Sequence, residues 1–237
     1  MEIVDVNTIF GFWPRKKIDI SLKKLLEIMK KYKIRSCFSL SAKGIFYEYE
    51  EGNKETLEVC KHHPEIIPVA TIDFRRYFGK KNIIKDLINE GFKALRLFPD
   101  LQAWPFNYQP FLKIVEEMGG NFPLMVSISG LGKTTEIGKI TNNYKIPLIL
   151  MGINYGYFAE ALAVMKKYRN VYIETSLFDT PDIYEIFVRE VGPERIIFGS
   201  YSPFHYFSSS FLSLERAEIS SKEKQLILGE NIKRFLK

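Results

Sequence analysis

The stretch Lys80-Lys81-Asn82-Ile83-Ile84-Lys85-Asp86-Leu87-Ile88-Asn89-Glu90-Gly91-Phe92-Lys93-Ala94-Leu95-Arg96-Leu97-Phe98 holds the fold in miniature. Residues 80–90 form a charged amphipathic segment that reads as a helix. Gly91 stands where a helix C-cap needs a left-handed residue. Residues 92–98 form an apolar run that reads as a strand buried on both faces, as parallel strands are. The same beat recurs along the chain. Strands are expected at 3–6, 34–39, 66–72, 92–98, 122–128, 146–151, 170–175 and 195–199. Helices are expected at 21–32, 53–62, 80–90, 108–119, 133–142, 157–168, 181–190 and 221–235. Alternation of this kind argues for βαβ units. Eight units in 237 residues fit a closed (β/α)8 TIM barrel, read as one domain over 1–237.

Local signals agree. Ser21, Thr180 followed by Pro181, and Ser220 or Ser221 are expected helix starts. Leu22, Leu25, Leu26 and Met29 share one face of helix 21–32. No linker or low-complexity tract interrupts the pattern. The longest stretch without clear structure is 200–220, rich in Ser and Phe.

Composition narrows the class. The net charge is +6, from 34 basic and 28 acidic residues. Lysines come in scattered pairs, most of them on expected helices, which reads as a solvated outer face and not as a nucleic-acid stripe. Cys37 and Cys60 sit in apolar segments and read as reduced core residues. No segment approaches the length of a bilayer span. A cytoplasmic protein is expected, with no nucleic acid, no membrane and no cofactor. A small-molecule ligand and self-association are the partners the sequence leaves open. The abundance of Lys, Glu and Ile with little Gln is of thermophilic type.

In a barrel of this kind chemistry sits at the C-terminal ends of the strands. There the chain resembles the amidohydrolase-related family of metal-dependent barrel hydrolases and decarboxylases. Ile3-Val4-Asp5-Val6-Asn7-Thr8-Ile9-Phe10-Gly11 resembles the opening strand of that family, and Gly91-Phe92-Lys93-Ala94-Leu95-Arg96-Leu97-Phe98-Pro99-Asp100-Leu101-Gln102 its fourth strand and loop. Gly192-Pro193-Glu194-Arg195-Ile196-Ile197-Phe198-Gly199-Ser200 resembles the eighth strand, and Leu228-Gly229-Glu230-Asn231-Ile232-Lys233-Arg234-Phe235-Leu236 the closing helix. The resemblance implies a metal-bound hydroxide and a proton-accepting aspartate. The sequence departs from it at each expected ligand. Asn7 and Ile9 stand at the places of His-x-His, Ser127 and Gly152 at two histidine places, and Tyr201 at the aspartate place. Ile and Gly offer no side-chain donor, and neutral Ser, Asn and Tyr are poor substitutes for imidazole and carboxylate.

What remains carries less decisive chemistry. Arg96, Glu174 and His205 are the candidate anion-binding and acid-base residues. Asn7, Trp13, Ser127, Ser129, Asn154 and Tyr201 are the candidate ligand contacts. Arg96 reads equally as a clamp for a carboxylate or phosphate and as half of an internal ion pair with Glu174. Asp73 reads as a loop cap or a partner of Arg75 or Arg76. Adjacent His62 and His63 end a helix, where cations are favoured. Gly130-Leu131-Gly132-Lys133-Thr134 lacks the first glycine of a phosphate loop and reads as a tight strand-to-helix turn. Aromatic residues crowd the loops after the strands: Trp13, Trp104, Phe106, Tyr155, Tyr157, Phe204, Tyr206 and Phe207. Such loops suit a ligand pocket, a plug or an interface. The expected protein is therefore a barrel without the metal centre that binds a small ligand or a protein. The alternative is a divergent hydrolase or decarboxylase acting on a small carboxylate or amide.

Overall fold

A computed structural model describes residues 2–120 and 122–236. Eight parallel strands follow one another around the sheet in sequence order. They are β1 (Val4–Asp5), β2 (Ser36–Ser39), β3 (Ile66–Ala70), β4 (Ala94–Leu97), β5 (Leu124–Ser127), β6 (Leu148–Met151), β7 (Val171–Glu174) and β8 (Ile196–Ile197). The chain past β8 returns to the chain past β1. Val6 N donates to Phe198 O at 3.0 Å, and Thr8 and Ser202 form a parallel bridge.

The helices are α1 (Leu22–Tyr32), α2 (Lys43–Phe46), α3 (Tyr49–His62), α4 (Ile83–Glu90), α5 (Pro99–Gln102) and α6 (Gln109–Glu117). They continue with α7 (Lys133–Asn143), α8 (Phe158–Lys167), α9 (Ile183–Val191), α10 (Phe207–Arg216) and α11 (Ser221–Gln225). Ser21 caps α1 by accepting from Lys24 N at 3.2 Å. Ser220 and Glu223 form a reciprocal capping box at α11. Gly91 closes α4 at φ +104°, with its N–H on the Ile88 and Leu87 carbonyls. Among the described residues no helix is long and apolar enough to cross a membrane.

Several expected boundaries move for local reasons. Helix α4 starts at Ile83 and not at 80, because Asn82 takes a left-handed conformation, so Lys80 and Lys81 belong to the loop after β3. Helix α9 starts at Ile183, with left-handed Asp182 as its N-cap, so Thr180-Pro181 precede it. The span 200–220 contains α10, whose Phe207, Ser210, Phe211 and Leu214 recur at helical spacing and turn inward. The closing helix breaks after Gln225 into a π-helical turn, Leu226–Glu230, and a 3-10 turn, Ile232–Phe235. Cys37 is buried and Cys60 half-buried, both as free thiols.

The core has two layers. Leu95, Leu97, Leu124, Val126, Leu148, Leu150 and Ile173 pack outward against the helices. Ala94, Phe98, Met125, Ile149 and Ile197 form a second cluster inside the barrel. Strand alternation puts Arg96 on the same face as Ala94 and Phe98, which is the inner one.

Candidate functional site

At the C-terminal end of the barrel lies a cavity of about 230 Å3. Its apolar wall comes from Trp13, Phe98, Leu101, Ile128, Met151 and Leu177, and its polar wall from Asn7, Arg96, Asp100, Ser127, Ser129, Gly152 and Tyr201. Arg96 is the distinctive member. Its residue is only 2 % exposed, and its Nε and Nη1 have no hydrogen-bond partner. Its guanidinium lies 5.0 Å from the Phe98 ring centroid. Burial lowers its pKa, with Tyr201, Glu174 and Asp5 pulling the other way. Among the described residues no carboxylate reaches ion-pair distance of it. The ion-pair reading of Arg96 with Glu174 is therefore not what the side chains do.

Glu174 spends its acceptors elsewhere. Its Oε1 accepts from Ser176 N at 2.5 Å. Its Oε2 accepts from Asn7 Nδ2 at 3.1 Å, from Ser176 Oγ at 3.0 Å and from Gly152 N at 3.4 Å. Burial pushes the Glu174 carboxyl up to about 7, against the lowering effect of those bonds. Asp5 lies alongside in a second network. Its Oδ1 accepts from Asn7 N and Ser200 N, both at 3.0 Å, and its Oδ2 accepts from Ser200 Oγ. Burial pushes the Asp5 carboxyl up to about 6. Asn7 thus ties both carboxyls to the cavity floor. Gly199 is required here: a Cβ on it would fall 2.2 Å from Glu174 Oε1.

The loops after β1 and β8 build an aromatic wall. Trp13 meets Phe46 and Phe204 edge-on, each at 4.5 Å between centroids. Tyr201, at φ +56°, stacks on Phe204 at 4.9 Å, and burial raises its phenol. His205 packs edge-on to Tyr201 at 5.1 Å and lies outside the cavity wall; partial burial and then Lys16 hold its imidazole below the usual range. Asn154 also lies outside. Its Oδ1 accepts from Gly156 N at 3.0 Å and caps a 3-10 turn, Tyr155–Tyr157. Phe98, Leu101, Met151 and Leu177 complete the cavity without having stood out in the sequence; their only signal was a position at or just beyond a strand end.

Other charged groups find internal partners. The Glu160 carboxylate accepts from Gly132 N at 2.9 Å and from Thr135 N at 2.7 Å, so the N-terminus of α7 already holds an anion. Lys133 pairs with Asp100, whose Oδ2 accepts from Ser129 N at 3.0 Å. Asp73 pairs with Arg75 at 2.7 Å. His62 and His63 meet Glu58 and Glu65. Among the described residues no three His, Cys, Asp or Glu side chains come together as a metal-binding group. At the places where the family resemblance expects ligands, Ile9 is fully buried and apolar, and Gly152 turns its N–H toward Glu174.

The amidohydrolase family model matches residues 53–237. A search of curated proteins finds no match. Among solved structures, the chain is similar to an uncharacterized TIM-barrel protein from Bordetella bronchiseptica, at 14 % identity and a TM-score of 0.78, covering 100 % of this chain and 98 % of that one. It is similar to a probable 2-pyrone-4,6-dicarboxylic acid hydrolase from Acinetobacter baumannii with citric acid bound, at 14 % identity and a TM-score of 0.76, covering 99 % of each. It is also similar to a 2,6-dihydroxybenzoate decarboxylase from Rhizobium, at 12 % identity and a TM-score of 0.76, covering 99 % and 98 %. At such identities the likeness is one of fold.

Proposed function

This chain belongs to the amidohydrolase family, and from that premise we propose that it works without a metal centre, as a barrel whose mouth binds a small organic carboxylate on Arg96. The observation that carries the reading is the guanidinium itself. It is buried, it opens on a cavity, and two of its nitrogens lack partners. A carboxylate in the cavity would accept from the guanidinium and offset its desolvation. Ser127, Ser129 and the Tyr201 hydroxyl stand on the same wall for a second polar group, and Trp13, Phe98 and Leu101 suit a flat apolar body. At about 230 Å3 the cavity is smaller than a drug-sized pocket of about 300–1,000 Å3. The citric acid of one structural neighbour and the substrate named for another are also small carboxylates.

The residues do not fit a divalent ion. Such an ion needs several imidazole or carboxylate ligands at one point. Asp5 and Glu174 are each engaged by backbone and hydroxyl donors, and the remaining charge on the cavity wall nearest them is the cation Arg96. The test is calorimetric titration with benzoate, 2-hydroxybenzoate and citrate, with and without a chelator, on the native chain and on Arg96→Met. Saturable binding that ignores the chelator and disappears in the variant is expected. Binding that requires added zinc or manganese would overturn the reading.

A second reading, a metal-independent decarboxylase or hydrolase, is favoured by Glu174. Its carboxyl, pushed up to about 7 by burial, meets the cavity wall through Asn7 and Gly152, and a proton exchanged along those contacts at physiological pH would serve such a reaction. Release of carbon dioxide from an aromatic carboxylate, lost in Glu174→Gln while binding is kept, would establish it.

A further inference from the structure

We propose that the loops after β1 and β3 dock the barrel mouth onto an anionic lipid bilayer. This inference stands apart from the cavity chemistry. Five large apolar side chains among the described residues are more than two-thirds exposed: Phe12 at 68 %, Phe78 at 94 %, Leu131 at 77 %, Tyr155 at 75 % and Tyr206 at 84 %. Each lies in a loop that follows a strand, so all five stand at the same end of the barrel. Single exposed apolar residues are ordinary on a protein surface, but collection of the most exposed ones at one end is not.

Charge is gathered at the same end. Gly11-Phe12-Trp13-Pro14-Arg15-Lys16-Lys17 after β1 and Phe74-Arg75-Arg76-Tyr77-Phe78-Gly79-Lys80-Lys81 after β3 share one composition, aromatic residues followed by cations. Arg15, Lys16, Lys17, Lys80 and Lys81 are exposed and form no ion pair among the described residues. Two acids of this region are neutralised, Asp73 by Arg75 and Glu48 by Arg76; Glu55 accepts from Ser41 Oγ beside Phe12, and Glu50, Asp86 and Glu90 share a hollow with Lys80 without closing an ion pair to it. The loops adjoin through the one between them. Arg76 Nη1 donates to Tyr47 O at 2.9 Å, and Phe12 and Tyr47 wall a single hollow. Tyr77 Oη donates to Lys80 O at 2.7 Å and braces the turn that carries Phe78.

Unpaired cations beside exposed phenylalanines match a membrane surface. The rings enter the boundary between headgroups and acyl chains while the cations meet lipid phosphates. Exposed Tyr47 after β2 and Tyr206 after β8, on the loops next to these, fit the same interface, where amphipathic rings collect. Single-stranded nucleic acid also takes cations and rings, but it needs rings laid along a groove that follows the backbone. Phe78 instead projects from a turn at 94 % exposure. Peripheral docking needs no spanning helix. Lys80 and Lys81 precede α4 and so lie on this loop and not on a helix face.

The experiment is flotation of the full chain with vesicles of phosphatidylcholine alone and with vesicles that also contain phosphatidylglycerol. A single-stranded oligonucleotide is titrated in parallel. Association with the anionic vesicles only, weakened by salt, is expected. At about 1 kcal/mol for each cation near the surface, Lys80→Gln with Lys81→Gln should weaken it roughly 30-fold. Phe12→Ser with Phe78→Ser should also weaken it while leaving the thermal melting of these surface variants unchanged. The proposal is overturned by equal association with both vesicle types, by undiminished association of both double variants, or by oligonucleotide binding without vesicle binding.

Discussion

Replacing Arg96 by Met should make the ligand-free protein more stable while abolishing anion binding. Each buried donor left without a partner costs roughly 1–3 kcal/mol, and Arg96 leaves Nε and Nη1 in that state. The Phe98 ring returns about 1–2 kcal/mol of cation–π attraction, and the field of Asp5 and Glu174 returns more. Met fills a similar volume without a charge to desolvate. The net gain is therefore on the order of 2 kcal/mol, or a rise in Tm of roughly 4–8 °C for a domain of this size. The gain should be larger in acid, because loss of the guanidinium leaves Asp5 and Glu174 harder to ionise. Urea melts of both proteins, alone and with benzoate, measure it. Ligand at about 100 times its Kd should add roughly 2.7 kcal/mol to the native chain and nothing to Arg96→Met. A variant that is less stable, and that benzoate still stabilises, would refute the reasoning and return Arg96 to a structural role.

Further outcomes follow from other contacts. The folded-state carboxyl of Glu174 lies near 7, above its ordinary 4.5, so the folded protein holds a proton that the unfolded chain has released. Its contribution is full below pH 4.5 and is lost as pH rises through 7, a change on the order of 3 kcal/mol. In Glu174→Gln the decline seen in urea midpoints across pH should shrink to that of Asp5 and end near pH 6. Gly52→Ala would put a Cβ 2.2 Å from Gly44 N and 2.3 Å from Gly44 Cα, a clash between α3 and the α2 backbone that no side-chain rotation relieves. We expect a loss of about 3 kcal/mol, read as a fall in Tm. Glu160→Ala removes the carboxylate that caps α7 and should cost about 1 kcal/mol, with sulfate restoring part of it; an unchanged melt would show the cap to be idle.

The fold was legible because burial has a period. Parallel strands covered on both sides leave short runs such as Leu148–Met151 with every residue buried, and these stand out between amphipathic helices. Boundaries were less legible where one backbone conformation decides them. Left-handed Asn82 and Asp182 set the starts of α4 and α9, and neither residue type demands that conformation. Helix α10 carried a readable stripe, Phe207, Ser210, Phe211 and Leu214, but two of its four positions are serine or partly exposed, which weakened the signal.

Position at the C-terminal ends of the strands was enough to put Arg96, Asn7, Ser127 and Tyr201 at the barrel mouth. It could not say whether Arg96 and Glu174 neutralise each other, because that depends on what else reaches Glu174. Ser176 supplies two donors, Gly152 a third and Asn7 a fourth, and those bonds occupy both oxygens of the carboxylate. The Asn7 amide gives one of these four bonds and Ser176 and Gly152 the other three, so neutral donors and not Arg96 hold the carboxyl. The Arg96 guanidinium is thereby left with no hydrogen-bond partner for Nε or Nη1, and a small carboxylate is the anion we propose to complete it.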